Sequence, residues 1–235
     1  MLPYRIAKRS FDVLAALCAL VLASPLWLLV MAGIKLSSTG PLFYATERVG
    51  RGGRVFTVYK FRSMHVYSPE RDGNADEGKY IANGKRIFPF GRFVRRSKLD
   101  EIPQLVNILA GQMSVVGPRP VPAKTAERNY AGKHRRILDV KPGLACLDSL
   151  FDYAHGELFV SDNEEYREKI VPVHTELAAL YVDRQSFLLD AHCIFRTLVL
   201  MVRIAVLKQR NFPLTRYERE ATEIVFGCGS GDRKA

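Results

Sequence analysis

The chain lacks paired cysteines and clustered histidines, and it is short of acid. Cys18, Cys146, Cys193 and Cys228 are scattered along 235 residues without a Cys-x-x-Cys pair, and Cys18 falls in an apolar run. Neither a disulfide framework nor a zinc site is readable, and the usage fits reducing cytoplasm. His65, His134, His155, His174 and His192 have no metal-ligand spacing. There is no internal repeat. Asp and Glu number 24 against 35 Lys and Arg, a net charge of +11 and a pI near 9.6. Such an excess calls for an anionic partner, whether nucleic acid, lipid headgroups or a phosphorylated substrate. A nucleic-acid docking motif is also missing, and the aromatics are not interleaved with basic residues for base stacking, which disfavours the first of these.

What the chain does have is one long apolar run, Val13 to Ile34, broken only by Ser24-Pro25. At about 1.5 Å per residue its roughly 22 residues make some 33 Å of helix, enough to cross a hydrocarbon core. Arg5, Lys8 and Arg9 precede it, and Lys35, Arg48, Arg51, Arg54, Lys60 and Arg62 follow it. Lys and Arg collect on cytoplasmic flanks, so both ends of the run ask for the same side. Pro25 removes a backbone donor near the middle, and the Ser24 hydroxyl is placed to satisfy a freed carbonyl. Two readings stay open on this segment alone: a bent, re-entrant hairpin and an ordinary spanning anchor that tolerates a proline. A cleaved signal peptide fits poorly, because Ala23-Ser24-Pro25 is a weak processing site.

The remainder suffices for one sizeable domain. Phe43 to Phe61 alternates around Gly50-Arg51-Gly52-Gly53, which predicts a β-hairpin. Alternation along its second strand puts Lys60 and Arg62 on one face, suited to a phosphate or to protecting an edge strand. Tyr67 to Arg86 reads as a loop. From Ser97 to Gly111, Leu99, Ile102, Leu105, Val106 and Leu109 recur at helical spacing, with Asp100 and Glu101 at the start. Two carboxylates there ordinarily complement the helix dipole. With Arg92, Arg95 and Arg96 upstream and Arg119 held in Gly117-Pro118-Arg119-Pro120 downstream, they also suit a bound phosphate and its metal ion. Lys141-Pro142-Gly143 is a tight turn, Glu164 to Tyr181 is helical, and Ser186 to Lys208 mixes apolar and basic residues as an interfacial helix does. Gly227 to Ala235 is a glycine-rich, charged tail.

Several of these segments, in order, carry a family resemblance: Lys8-Arg9-Ser10-Phe11-Asp12 leading into the Ser-Pro run, Tyr59-Lys60-Phe61-Arg62-Ser63-Met64, Leu99-Asp100-Glu101-Ile102-Pro103-Gln104-Leu105, Val116-Gly117-Pro118-Arg119-Pro120, Lys141-Pro142-Gly143 and Ser186-Phe187-Leu188-Leu189-Asp190. The chain resembles the bacterial sugar transferases of the monotopic phosphoglycosyl transferase family. The resemblance implies an α+β, mostly helical fold: a re-entrant membrane hairpin over 1–37, a catalytic domain over 38–208 on the cytoplasmic face of the inner membrane, with a small β-hairpin and interfacial helices, and a C-terminal tail over 209–235. It implies transfer of a phosphosugar from a UDP-sugar to polyprenyl (undecaprenyl) phosphate with release of UMP, at the start of surface glycan assembly. Asp100 would be the nucleophile and Glu101 would help hold Mg²⁺; Lys60, Arg62, Arg95 and Arg119 are the candidate phosphate contacts, and Asp190 a further candidate. Ser24 and Pro25 would break the membrane helix. After Lys141-Pro142-Gly143 the chain departs from the family pattern, over 144–163. The competing class is a non-catalytic membrane-anchored scaffold for acidic partners.

Overall fold

The computed structural model describes residues 2–66, 86–155, 163–207, 209 and 211–227. Residues 67–85 of the expected loop, residues 156–162 of the atypical segment, Lys208 and the end of the tail from Cys228 lie outside them. Helix α1 (Leu2–Leu22) and helix α2 (Ser24–Ser37) lead into the antiparallel hairpin of β1 (Phe43–Val49) and β2 (Val55–Phe61). Then come α3 (Pro89–Arg96), a 3-10 turn at Leu99–Glu101, α4 (Gln104–Leu109), β3 (Ser114–Val116) and α5 (Ala123–Asn129). A 3-10 segment at Gly132–Asp139 precedes β4 (Gly143–Ala145), α6 (Leu147–His155), α7 (Val171–Asp183), α8 (Phe187–Ala205) and α9 (Arg216–Phe226). The mostly helical architecture and the β-hairpin match the sequence reading, with the pairing running from Phe43 opposite Phe61 to Val49 opposite Val55.

Proline and its neighbour make the break between α1 and α2. Pro25 has no N–H for the carbonyl of Val21 four residues back, and the Ser24 hydroxyl donates to that oxygen at 2.7 Å. The two helices diverge by 61°. No single helix among the described residues is long and apolar enough to cross a membrane, although the bent pair together has the length and composition. One face of α1 is polar and bound to the body. Tyr4 and Lys8 both donate to Asp190 Oδ2, at 2.8 and 2.6 Å, and Asp12 accepts from the Ser114 hydroxyl and the Val115 amide. Arg9 donates to the carbonyls of Ile108 and Leu109, the last turn of α4, where a cation is favourable. The opposite face, with Ile6, Leu14, Leu17 and Val21, is exposed.

Four apolar clusters hold the body together, one of them joining β1, α5, the Gly132–Asp139 segment and α7 through Val49, Ala126, Ile137 and Ala178. The largest joins α6, α7, α8 and α9 through Leu147, Leu150, Phe151, Leu177, Tyr181, Leu200, Ile204 and Ala221. Another seats α1 on α4 and β2 through Ala16, Val58, Leu105, Ile108 and Met113. The last packs α2 against α3 through Val30, Ile34, Phe61, Phe88 and Val94. Ile170, Val173, Leu177 and Leu180 are all buried, as their spacing predicts. Pro172 falls in the first turn of α7, just after π-helical turns at Tyr166–Ile170, so its missing donor is absorbed there. The expected 209–235 tail is a tail only in part, because Arg216–Phe226 folds into α9. Its Thr215 and Glu218 form a capping box, and Glu218 pairs with Arg196 of α8.

Candidate active site

A left-handed residue sets up the carboxylate pair. Helix α3 ends at Ser97, Lys98 follows with φ of 57°, and the chain turns at once into the 3-10 turn that carries Asp100 and Glu101. Lys98 is the only non-glycine residue with positive φ among the described residues, at a conformation that costs an L-residue about 1 kcal/mol or more. Pro103 and Gln104 then start α4. Asn107 on α4 accepts from the Tyr59 amide and donates to the Thr57 carbonyl, which fixes this helix to β2. That places Lys60 opposite Glu101, with Nζ 3.0 Å from Oε1.

The second wall comes from the Gly-Pro-Arg-Pro segment. Strands β3 and β4 run parallel, Ser114 opposite Gly143 and Val116 opposite Ala145, and the backbones cross so closely that side chains are excluded. A Cβ on Gly117 would lie 2.4 Å from the Lys141 carbonyl oxygen, and one on Gly143 2.2 Å from the Gly117 nitrogen. The Gly143 amide donates to the Pro118 carbonyl. Buried Asp148, on α6, accepts from the Arg119 amide at 2.8 Å. Held this way, Arg119 places Nη2 3.5 Å from Glu101 Oε1.

Asp100 is 6% exposed, and its Oδ1 is buried with no hydrogen-bond partner. It faces a recess lined also by Lys60, Arg95, Lys98, Glu101, Arg119, Asp152 and Tyr153. Burial raises the Asp100 carboxyl above its ordinary range, against the pull of Lys60 and with the help of the Glu101 charge. Burial alone would raise Glu101 as well, but Lys60, Lys98 and Arg119 outweigh it and hold Glu101 well below the usual carboxylate range. Arg119 loses by burial and gains more from Glu101 and Asp152, so its guanidinium stays firmly charged. Two adjacent carboxyls are thereby pushed apart, the more basic one unpartnered and the more acidic one clamped by cations. Such a recess can bind a phosphate and present a carboxylate oxygen to it. Beside it opens a cleft of about 360 Å³, whose lining includes Arg48, Lys60, Glu101, Arg119, Lys124 and Tyr130.

The structure gathers most, but not all, of the residues expected here. Asp100, Glu101, Lys60, Arg95 and Arg119 line one recess. Arg62 points elsewhere. It is 4% exposed, and its guanidinium donates to the Ser38 hydroxyl and to the carbonyls of Ser38, Thr39 and Pro41. Strand β2 ends at Phe61, so the alternation that put Lys60 and Arg62 on one face does not extend to Arg62. Asp190 also lies apart from the recess, 5% exposed, where it takes Tyr4, Lys8 and Tyr181 as donors and ties α1 to α7 and α8. Ser24 and Pro25 stand at the helix break. Lys98, Asp148, Asp152 and Tyr153 were not foreseen. Lys98 adjoins the dyad in sequence and carried a signal only in its charge, whereas the others sit on α6, within the segment that departs from the family pattern.

Comparison with known proteins gives the arrangement a context. The chain is 37% identical over 196 residues to a UDP-glucose:undecaprenyl-phosphate glucose-1-phosphate transferase of Xanthomonas campestris pv. campestris, covering 83% of this chain and 38% of that protein. It is 39% identical over 154 residues to the undecaprenyl-phosphate galactose phosphotransferase of Salmonella typhimurium, covering 61% of this chain and 32% of the relative. Against the exopolysaccharide production protein ExoY of Rhizobium meliloti the identity is 44% over 152 residues, or 60% and 67% of the two chains. The chain thus spans less than half the length of the first two. Residues 3–204 match the bacterial sugar transferase family, a stretch that takes in α1, the carboxylate pair, the Gly-Pro-Arg-Pro wall and nearly all of α8, and the chain belongs to that family.

Proposed function

We propose that this protein transfers a phosphosugar from a UDP-sugar to polyprenyl phosphate, releasing UMP, through an aspartyl-phosphosugar on Asp100. The observation that carries the reading is Asp100 itself, a buried carboxyl with an unpartnered oxygen in a recess lined by Lys60, Arg95, Lys98 and Arg119. A carboxylate oxygen of Asp100 attacks the β-phosphorus, the bond from that phosphorus to the bridging oxygen breaks, and the electron pair leaves with UMP. An oxygen of the lipid phosphate then attacks the same phosphorus and returns the Asp100 carboxylate. A carboxylate is a weak nucleophile toward a polyanion, so the surrounding cations, which neutralise the phosphate oxygens, supply the missing attraction.

The residues fit Mg²⁺. Among the described residues no group of three His, Cys, Asp or Glu side chains can hold a metal by itself, and Mg²⁺ usually takes one or two carboxylates and completes its shell with substrate phosphates and water. Lys60 and Arg119 both sit on Oε1 of Glu101, so Oε2 is the oxygen to offer. When bound, the ion supplies positive charge at the diphosphate.

Placement on a membrane completes the proposal. The exposed apolar face of α1, the apolar α2, and Leu188, Phe195, Leu198 and Val202 on α8 suit a body seated at headgroup depth on the cytoplasmic leaflet, with α1 and α2 entering and leaving on one side. The decisive assay follows UMP from a panel of UDP-sugars with detergent-purified protein, Mg²⁺ and polyprenyl phosphate. Sustained release that needs the lipid and vanishes in Asp100→Asn supports the reaction; equal and negligible release from wild type and variant, whatever the sugar, rejects it in favour of the scaffold.

A further inference from the structure

We propose that Lys98 is a further phosphate-contacting residue of this site, its ammonium reaching the non-bridging oxygens of the β-phosphoryl group at Asp100. The proposal rests on the reaction argued above and adds a residue to it. The first ground is conformational. Lys98 follows the C-cap of α3, its amide bonds to the Arg95 carbonyl, and its φ is 57°. That is the left-handed position at which helices ordinarily place glycine, which alone adopts it freely. A lysine here is worse than glycine as a helix stop, so capping does not explain it.

The second ground is where the side chain goes. Lys98 lines the recess with Asp100 and Glu101, and its Nζ lies 4.7 Å from the centroid of the Tyr153 ring. Tyr153 is held in place by the hydroxyl it donates to the Arg96 carbonyl. Lys60 and Arg119 are both committed to Glu101, whereas Lys98 makes no ion pair with any described residue. A cation resting on an aromatic face gives up little when it exchanges that contact for an anionic oxygen. The third ground is the neighbourhood, since Lys98 shares the recess with Asp100, Glu101 and Asp152; burial lowers its ammonium from the ordinary range, and the charges of Glu101, Asp100 and Asp152 pull against that. In this role Lys98 acts through its charge alone and neither gives nor takes a proton. It offsets charge on the phosphoryl oxygens while the bond to Asp100 forms and the bond to UMP breaks.

Two variants test this. Lys98→Gly suits the backbone angle, so it removes the ammonium without disturbing the turn, and Lys98→Met keeps the length of the side chain without its charge. We expect both to lower kcat/KM for UMP release about 100-fold, the scale of losing one preorganised donor to a developing charge. Lys98→Gly should keep or raise Tm and recover part of its rate with added methylammonium. Equilibrium binding separates this from a structural role: the preference for UDP over UMP, which differ by the β-phosphate, should fall about tenfold in Lys98→Gly while UMP affinity holds. Unchanged kcat/KM, an unchanged UDP-to-UMP ratio, or a loss that tracks a lower Tm and ignores methylammonium overturns the assignment and leaves the reaction standing. If wild type releases no UMP the reaction itself fails, and the UDP-to-UMP ratio still decides Lys98.

Discussion

At the scale of single residues, neighbouring cations divide into those that serve the site and those that serve the fold. Lys60 and Arg119 meet on Glu101, and removing either leaves a half-buried carboxylate under-compensated. Arg119→Lys loses the rigid fork, and we expect a fall of about 100-fold in kcat/KM with little change in Tm; a variant as fast as wild type would remove Arg119 from the site. Arg62 should behave in the opposite way. Its donors close the loop at residues 38–41, so Arg62→Leu should cost about 2–4 kcal/mol of stability, with kcat per folded molecule near wild type. A large loss of kcat at unchanged Tm would return Arg62 to catalysis. The Asp100-Glu101 pair is visible in the sequence as a dipeptide, but by itself it is indistinguishable from a dipole-compensating helix start. Its partners on α6 were illegible, because Asp148 and Asp152 reach the site through contacts about 30 to 50 residues apart, which no local pattern encodes.

Among elements, the close crossing of β3 and β4 is the joint that sets Arg119 against Glu101. Gly143→Ala puts a methyl group against the backbone of Gly117, and we expect it to cost about 3 kcal/mol or more and to abolish activity even in the folded fraction. A soluble, fully active alanine variant would contradict the joint. The break at Ala23 is a second such device. Replacing Pro25 by leucine restores a donor to the Val21 carbonyl and should straighten the pair. Single cysteines at Pro3 and Leu36, in a background with all four native cysteines replaced, should then label from opposite faces of a membrane, whereas with Pro25 intact both should label from one; opposite faces in the latter would exclude the hairpin. Glu176 of α7 gives a pH test of the link to the Gly132–Asp139 segment. Burial would raise its carboxyl, but hydrogen bonds from His134 and Lys133 outweigh this and hold it below its ordinary 4.5. The unfolded chain therefore takes up this proton first, and the stability Glu176 provides is full above pH 4.5 and drains as pH falls below it. Glu176→Gln should make the acid fall of Tm shallower, and an equally steep fall would deny the link. Helices with strong apolar period were legible from sequence. Helix α9 carries Thr215 and Glu218 at capping-box spacing, but its apolar face is too short to set it apart from a tail in the sequence, and in α3 Pro89 and Gly91 obscure the helical pattern.

For the whole molecule, one polar seam explains how the bent pair of α1 and α2, proposed to face lipid, and the proposed phosphate site are kept in register. Tyr4, Lys8, Arg9 and Asp12 lie on the face of α1 that binds the body, and Arg9 caps the very helix that follows the carboxylate pair. The net charge of +11 suits both an anionic leaflet and the two phosphorylated substrates of the proposed reaction. The resemblance read from motifs implies this division of labour, while the seam itself emerges only when residues 4 to 12 are seen against residues 108 to 115 and 190. Everything in the account converges on a covalent phosphosugar at Asp100, and that species is most directly tested without the lipid. Purified protein incubated with Mg²⁺ and a UDP-sugar labelled in the sugar, with no polyprenyl phosphate, should release one UMP per active site and carry the label on Asp100. The label should be discharged on adding polyprenyl phosphate and should be absent from Asp100→Asn. Turnover with the lipid but no label on the protein under any condition, and no UMP before the lipid is added, would mean direct transfer between substrates and would contradict the account.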